Sequence, residues 1–356
     1  MDYLFDIIVL NWNQKELTTD FVNSFLANTT IPCRLIIIDN GSDDGSVEYL
    51  LSLKDTAACK FKIVVNKENL GFVGGMNQGI EISAAPYVCL ANNDLLFSKG
   101  WLDEILAVFE KDERIGVLNP NSNNLGEHLN GATIESVAER LYRDFKGVFV
   151  EMPFCIGFCM FIRREVILKT GGLSKEFYPM FFEDTDYSLK ASHAGYLIGL
   201  AKGSFVWHKE HGSFTRMGHS RIEIFDRSKQ AFAEKWGEIL RVAWILNDPS
   251  ELAENLAQAV DLVRQGNYLW VFTPGEGVDR VKLFDRPGVY DHSGLHIIGF
   301  RNVLTLFWKI ATKKKRYNAV IMKDGLFRLI LRLCGYKTFS NYDKALLQKI
   351  KRPDAL

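Results

Sequence analysis

Along the first half of the chain, compact apolar runs alternate with stretches whose apolar positions recur every three or four residues. Residues 5–10 (FDIIVL), 34–39 (RLIIID), 61–66 (FKIVVN) and 87–91 (YVCLA) have the length and β-branched content of buried strands. Residues 15–28, a segment from the Gly/Ser/Asp turn at 40–45 to about 53, and residues 74–83 read as helices between them. Strand–helix alternation with short connections predicts a mostly parallel sheet covered by helices on both faces. In such sheets ligands sit beyond the carboxyl ends of the strands, where this chain's polar clusters fall.

From 115 to 150 the pattern loosens, and polar 119–130 reads as a loop. Residues 154–163 (FCIGFCMFIR) predict another buried strand, and 165–170 a short helix stopped by Gly171-Gly172. Residues 184–194 read as a helix, 197–201 and 204–207 as two short strands, and 221–236 as a closing helix. The rhythm then restarts: strands at 242–246, 268–273, 281–284, 295–298 and 319–322, with helices over 250–265 and 303–314. The expected organisation is a catalytic α/β domain over 1–242 and a small Rossmann-like α/β domain over 243–356.

With 47% hydrophobic residues over 356 positions, the chain can bury a core in each domain, which excludes disordered and collagen-like classes. No apolar run reaches the roughly 18–20 residues that span a bilayer, and residues 1–10 lack the features of a signal peptide. Cys33, Cys59, Cys89, Cys155, Cys159 and Cys334 sit mostly in apolar segments, and the CxxxC of Cys155 and Cys159 lacks a second pair for zinc. They read as reduced core residues of a soluble, cytoplasmic protein.

Charge changes the picture of the second domain. Lys+Arg and Asp+Glu balance at 43 each, yet residues 243–356 carry 18 basic against 11 acidic side chains, leaving residues 1–242 with 25 against 32. Such a tract ordinarily forms a solvated face; the alternative is contact with something anionic, a membrane surface or a phosphorylated acceptor before a nucleic acid, because no nucleic-acid-binding motif accompanies it. Lys313-Lys314-Lys315-Arg316 ends a helix expected to be amphipathic through Phe307, Trp308 and Ile310. The domain could equally solubilise the chain or pair two copies as a homodimer.

Four clusters could carry chemistry. Asn92-Asn93-Asp94 ends a strand, where one carboxylate can hold a hard divalent cation whose shell substrate phosphates complete; an isolated Asp there also serves as a turn or cap residue. Glu183, Asp184 and Asp186 open a helix, suiting either a general base or the helix dipole. His208 and His211 follow a strand end and suit a metal shell or a structural role. Glycine-rich 69–77 (NLGFVGGMN) lets backbone approach a phosphate or ribose, yet matches neither GxGxxG nor the Walker pattern, which disfavours dehydrogenases and P-loop NTPases.

Taken in order, seven segments resemble family 2 glycosyltransferases, the large inverting group with the GT-A fold. They are 7–13 (IIVLNWN), 36–46 (IIIDNGSDDGS), 69–79 (NLGFVGGMNQG), 90–97 (LANNDLLF), 157–166 (GFCMFIRREV), the GGL…FFEDTDYSLKASHAGY of 171–196, and 206–213 (VWHKEHGS). Their flavour is that of rhamnosyltransferase-like members that build bacterial surface polysaccharides. Residues 317–339 bear a faint likeness to part of a heptosyltransferase Rossmann-like domain.

The resemblance implies that Leu10, Asn11, Asn13 and Asp39 line the nucleotide pocket, with Asp39 against the base, and that Asn69, Gly71 and Asn77 border the ribose and donor. Asn92 and Asn93 stand in the family's DxD position, where Asp94 is the remaining strong anionic ligand for Mg²⁺ or Mn²⁺, and His208 fits the position that completes the metal site. Asp184 matches the general base, preceded by Glu183, while Asp186 would orient the acceptor. The expected donor is a UDP-, dTDP- or GDP-sugar, and the acceptor a glycan, lipid-linked or protein hydroxyl at the inner face of the plasma membrane. Competing readings are a catalytically decayed nucleotide-sugar-binding scaffold and a sugar nucleotidyltransferase, although the latter's Arg/Lys-bearing glycine loop after the first strand is missing.

Overall fold

The apolar runs become strands because each has nowhere else to bury both of its faces. In order, the first part of the chain forms β1 (Phe5–Asn11), α1 (Lys15–Asn28), β2 (Cys33–Asp39), α2 (Ser46–Ser52), β3 (Cys59–Val65), α3 (Gly71–Ile82), β4 (Tyr87–Ala91), β5 (Leu95–Phe97), α4 (Trp101–Lys111) and β6 (Ile115–Asn121). There follow α5 (Ile134–Phe145), β7 (Phe149–Glu151), β8 (Cys159–Arg163), α6 (Arg164–Thr170), α7 (Glu183–His193), β9 (Leu197–His208) and α8 (Ser220–Trp236). The computed structural model describes residues 3–210, 220–275, 278–285, 288–323 and 325–342. The chain divides into two units, residues 1–150 with 154–231, and residues 151–153 with 232–356. The division thus runs through α8 rather than at 242, and residues 151–153 join the second unit, where Glu151 is held by Arg264 at 2.7 Å.

In the first unit the sheet runs β3-β2-β1-β4-β8-β6-β9-β5, with β7 beside β9. The pairings β3/β2, β2/β1, β1/β4 and β6/β9 are parallel; β8 runs against both β4 and β6, and β5 against β9. This is the expected mostly parallel α/β architecture. Ile7, Ile8, Val9, Leu35, Ile36 and Ile37 are wholly buried, so β1 and β2 form the spine of the core. Helix α3 lies so close to β1 that a Cβ on Gly79 would come within 2.3 Å of Ile8.

Several local expectations need correction. The polar stretch after 115 is strand as far as Asn121, since Asn119 binds backbone groups of Ile156 and Cys159 instead of water. The two strands at 197–201 and 204–207 are one strand, β9, whose pairing with β6 shifts register around Lys202-Gly203. Cys334 is exposed, whereas the other five cysteines are buried.

The second unit contains β10 (Arg241–Ile245), α9 (Ser250–Glu254), α10 (Leu256–Arg264), β11 (Tyr268–Pro274), α11 (Arg280–Phe284), β12 (Leu295–Phe300), α12 (Val303–Ala311), β13 (Ala319–Ile321), α13 (Leu326–Leu333) and β14 (Thr338–Phe339). Its sheet, β12-β11-β10-β13-β14, is entirely parallel. Residues 281–284 are therefore not a strand: Asp279 accepts hydrogen bonds from Val281 N and Lys282 N and starts a helical turn. The 250–265 helix breaks at Asn255, whose side chain bonds back to Glu251 O. Leu252, Leu256, Val260, Val263 and Leu283 of α9–α11 bury one face of the sheet, and Leu306, Ile310 and Leu331 of α12 and α13 bury the other. Among the described residues no helix is long and apolar enough to cross a membrane.

Candidate active site

The strand order of the first unit reverses direction between β1 and β4, and open parallel sheets leave a crevice at such a point. A cleft of about 310 Å³ lies there. Leu10, Asn11, Trp12 and Gln14 contribute from the end of β1, and Ala91, Asn92, Asn93 and Asp94 from the end of β4. The remaining wall is Asn40, Asn69, Gly71, Phe72, Met76 and the segment Tyr178, Pro179 and Met180. Gly71 has φ +65°, and a Cβ on it would lie 2.7 Å from the Pro179 ring, so this turn requires glycine. Asn69 Oδ1 accepts from Gly71 N at 2.8 Å and fastens the turn. From α8, Arg227 and Ser228 donate to the carbonyls of Tyr178 and Met180 at 2.6 and 2.9 Å, holding the opposite wall. Tyr178, Pro179 and Met180 escape a reading by motif, because nothing in the YPM tripeptide distinguishes it from any loop.

Not every expected donor contact faces this cleft. Asp39 is fully buried and accepts four hydrogen bonds: from Asn11 Nδ2 at 2.7 Å, Gly41 N at 3.1 Å, Ser42 N at 2.8 Å and Ser42 Oγ at 2.6 Å. It ties the β2 turn to the end of β1 and does not line the cavity. Asn13, at φ +51°, accepts from Asp43 N at 2.7 Å and belongs to the same brace. Asn77 closes a two-way bond with the Leu173 backbone, at 2.9 and 2.8 Å, and so pins α3 to the Gly171-Gly172 loop. Asn11 does line the cleft, but its amide is fixed from behind by Asp39 and by Thr18 Oγ1, which also receives Asn93 Nδ2.

At the cleft's inner end Asp94 and His208 meet, because β5 pairs Leu95 with His208. Asp94 Oδ1 is 3.0 Å from His208 Nε2 without a hydrogen bond between them, and among the described residues this buried oxygen has no hydrogen-bond partner. His208 Nδ1 is 3.0 Å from Asn124 Oδ1, which assigns the proton to Nδ1 and leaves Nε2 a lone pair facing the carboxylate. Asn92 Nδ2 lies 3.4 Å from the same nitrogen. Two lone-pair donors about 3.0 Å apart match neighbouring ligands of a cation bound at roughly 2.1 Å, so the residues fit a Mg²⁺ or Mn²⁺ ion. Among the described residues no cluster of three or more such ligands forms, which leaves the rest of the shell to water or a ligand's phosphates. His211 lies outside the described residues.

The acidic cluster divides. Asp186 is fully buried and accepts from Ser174 Oγ at 2.6 Å, so it stabilises the loop before α7 and does not reach toward an acceptor. Phe181 and Phe182 both adopt left-handed backbone, at φ +75° and +66°, costing about 1–3 kcal/mol each; their rings rest on Phe225 of α8. Helix α7 therefore begins abruptly at Glu183. Glu183 is buried with Oε2 unpartnered, and burial, then the neighbouring Asp184 charge, push its carboxyl up to about 8. Burial also raises Asp184, against the opposing pull of Gly157 N at 2.8 Å, Thr185 N at 2.6 Å and Thr185 Oγ1 at 3.1 Å. Burial thus favours the protonated form of both carboxyls, and the hydrogen bonds from Gly157 and Thr185 favour the charged form of Asp184 alone. Gly157 connects the halves: its neighbour Phe158 receives Asn92 N at 2.8 Å and stacks on His208.

In a family-level comparison, residues 6–171 match the model of Glycosyl transferase family 2. Residues 6–171 are thus similar to a glycosyltransferase family 2 domain. Relatives include an uncharacterized glycosyltransferase of Haemophilus influenzae, 26% identical over 112 residues, 32% of this chain and 34% of the relative. Another, from Nostoc sp., is 27% identical over 113 residues, 32% and 35% of the two chains. The poly-beta-1,6-N-acetyl-D-glucosamine synthase of Staphylococcus aureus is 26% identical over 110 residues, 31% and 26%. The match thus spans about a third of the first two relatives and less of the third. Among solved structures, the chain is similar to a mannosyltransferase from Pyrobaculum calidifontis in complex with GDP-Man and Mn²⁺, with TM-score 0.45, 14% identity and coverage of 74% and 84%. It is also similar to S. aureus TarS 1-349 in complex with UDP-GlcNAc, with TM-score 0.47, 16% identity and coverage of 62% and 64%.

Proposed function

We propose that the chain is an inverting glycosyltransferase, moving a hexosyl or deoxyhexosyl group from a UDP-, dTDP- or GDP-sugar to a hydroxyl acceptor in bacterial surface polysaccharide or glycoconjugate synthesis. The observation that carries this reading is that Gly157-Phe158 links Asp184, which accepts from Gly157 N, to the pair of Asp94 and His208, on whose ring Phe158 stacks. The name of the S. aureus relative supports a polysaccharide as the product class.

The donor's nucleoside would lie across Leu10 and Asn11, with its diphosphate over Asn92-Asn93-Asp94. Asp94 Oδ1 and His208 Nε2 would hold Mg²⁺ or Mn²⁺, which neutralises charge growing on the leaving diphosphate. Asp184 takes the proton from the acceptor hydroxyl, whose oxygen attacks the anomeric carbon on the face opposite the diphosphate. Protonated Glu183 lets Asp184 carry the pair's single charge, and burial keeps Asp184 basic enough to accept that proton. Gly157 N and Thr185 hold the carboxylate in place. No covalent enzyme intermediate is needed.

Incubation with a panel of nucleotide sugars and candidate acceptors, following release of nucleoside diphosphate with and without EDTA, tests this proposal. Diphosphate release that depends on acceptor and metal is expected. Release of pyrophosphate instead would mark a nucleotidyltransferase, and binding without turnover a scaffold.

A further inference from the structure

Helix α13 presents its two sides the wrong way round for a soluble domain. Leu326, Leu329, Ile330 and Leu333 recur at the i, i+3, i+4, i+7 spacing that normally faces a core. Here that stripe is the outer one, with Leu326 75% and Leu333 81% exposed, while Arg328 is buried against Thr338. The neighbouring α12 does the same. Leu306 and Ile310 pack on the sheet, and Leu304 and Trp308, one turn apart, stand 75% and 67% exposed. The two helices touch through Phe307 and Phe327, so their apolar stripes belong to one layer of the second unit. Ile310, expected to help form the outward amphipathic face, instead belongs to the core.

Basic residues dominate the segment that carries this layer, although Lys323 is paired with Glu251 at 2.9 Å. From Arg301 to Tyr342 the sequence holds ten Lys and Arg residues and a single acid, Asp324. Lys314 and Lys315, exposed just past α12, form no hydrogen bond or ion pair among the described residues, and exposed Arg332, whose Nε donates to Thr338 Oγ1 at 2.8 Å, lies along the edge of the α13 stripe. An exposed apolar patch with Trp and Leu at its centre and unneutralised cations at its rim fits an interface between hydrocarbon and anionic headgroups. A protein partner would need a matching acidic rim around an apolar socket; a bilayer of anionic lipid supplies both elements without specific fit.

We propose that the outer face of α12 and α13 docks onto an anionic lipid bilayer. This inference is independent of the transferase reading and survives or fails without it.

Co-sedimentation of the full chain with vesicles of phosphatidylcholine and phosphatidylglycerol, at low and high salt, provides the test. The wild type should bind at low salt, release at high salt, and bind vesicles of phosphatidylcholine alone far more weakly. Replacing Lys314 and Lys315 with Gln should lower the partition coefficient about tenfold or more. Replacing Leu326, Leu329 and Leu333 with Gln should abolish binding, with the melting temperature unchanged because all three side chains are exposed. Failure of the wild type to sediment at low salt would overturn the proposal, as would binding that ignores lipid charge. So would a dimer in light scattering that the triple Leu variant converts to monomer while vesicle binding stays absent; that result would assign the face to a second copy of the chain.

Discussion

Replacing Glu183 with glutamine should remove most of a pH dependence of stability that the first unit carries between pH 5 and 8. Burial and the Asp184 charge raise the Glu183 carboxyl from 4.5 to about 8 in the folded chain. Between those values the folded state keeps a proton that the unfolded state releases, so stability falls as pH rises through the window. Each unit is equivalent to about 1.4 kcal/mol, and the three units from pH 5 to 8 therefore cost up to about 4 kcal/mol. For a unit of this size, that loss corresponds to roughly 10 °C in melting temperature. In the Gln variant, which keeps the shape but cannot ionise, the contributions of Asp184 and Glu104, raised in the same direction by burial, remain. Differential scanning calorimetry of both proteins in EDTA, at half-unit steps, reads the two slopes. Parallel slopes would refute the assignment of a shared, buried proton to Glu183 and Asp184. The same substitution fixes Asp184 as the only ionisable member of the pair, so the acid limb of the turnover profile should persist and its alkaline limb should flatten.

Asp184→Asn should reduce turnover by about a hundredfold or more while leaving donor affinity nearly unchanged, measured by steady-state kinetics and calorimetric titration; unaltered turnover would remove the base from the mechanism. Asn124→Ala frees the His208 Nδ1 proton and should weaken Mn²⁺ affinity by about 10- to 100-fold, read by titration of the metal into the protein with donor present. Asp94→Ala should lower metal and donor affinity together, in titrations of each, because the proposed metal would share its shell with the donor's phosphates. Gly71→Ala meets both a left-handed φ and the Pro179 ring, and should cost about 1–3 kcal/mol of stability along with donor affinity, in thermal melts and donor titrations.

Strands β1 to β4 of the first unit, and the gathering of polar clusters at their carboxyl ends, follow from the sequence alone. Apolar runs such as IIVL and LIIID are local, and a parallel sheet built from them has its clusters at one edge whatever the details of packing. Asn92 to Asp94 and the Glu183-Asp184 start of α7 were legible for the same reason: each is a short motif at an element end. Which polar residues face the cleft was decided only by tertiary structure. Asn77 answers a backbone 96 positions away and Asp39 an amide 28 positions away, so these two carry the polar character of donor contacts while serving as braces. Asp186, three residues from Glu183 on one helix, turns to Ser174 for the same reason. The helix α13 shows the limit most plainly: its periodicity fixes an apolar stripe and a cationic one, and periodicity is unchanged by rotating the helix about its axis. Only the sheet beneath, with Thr338 binding Arg328 and Leu331 filling the core, chose which stripe would face water.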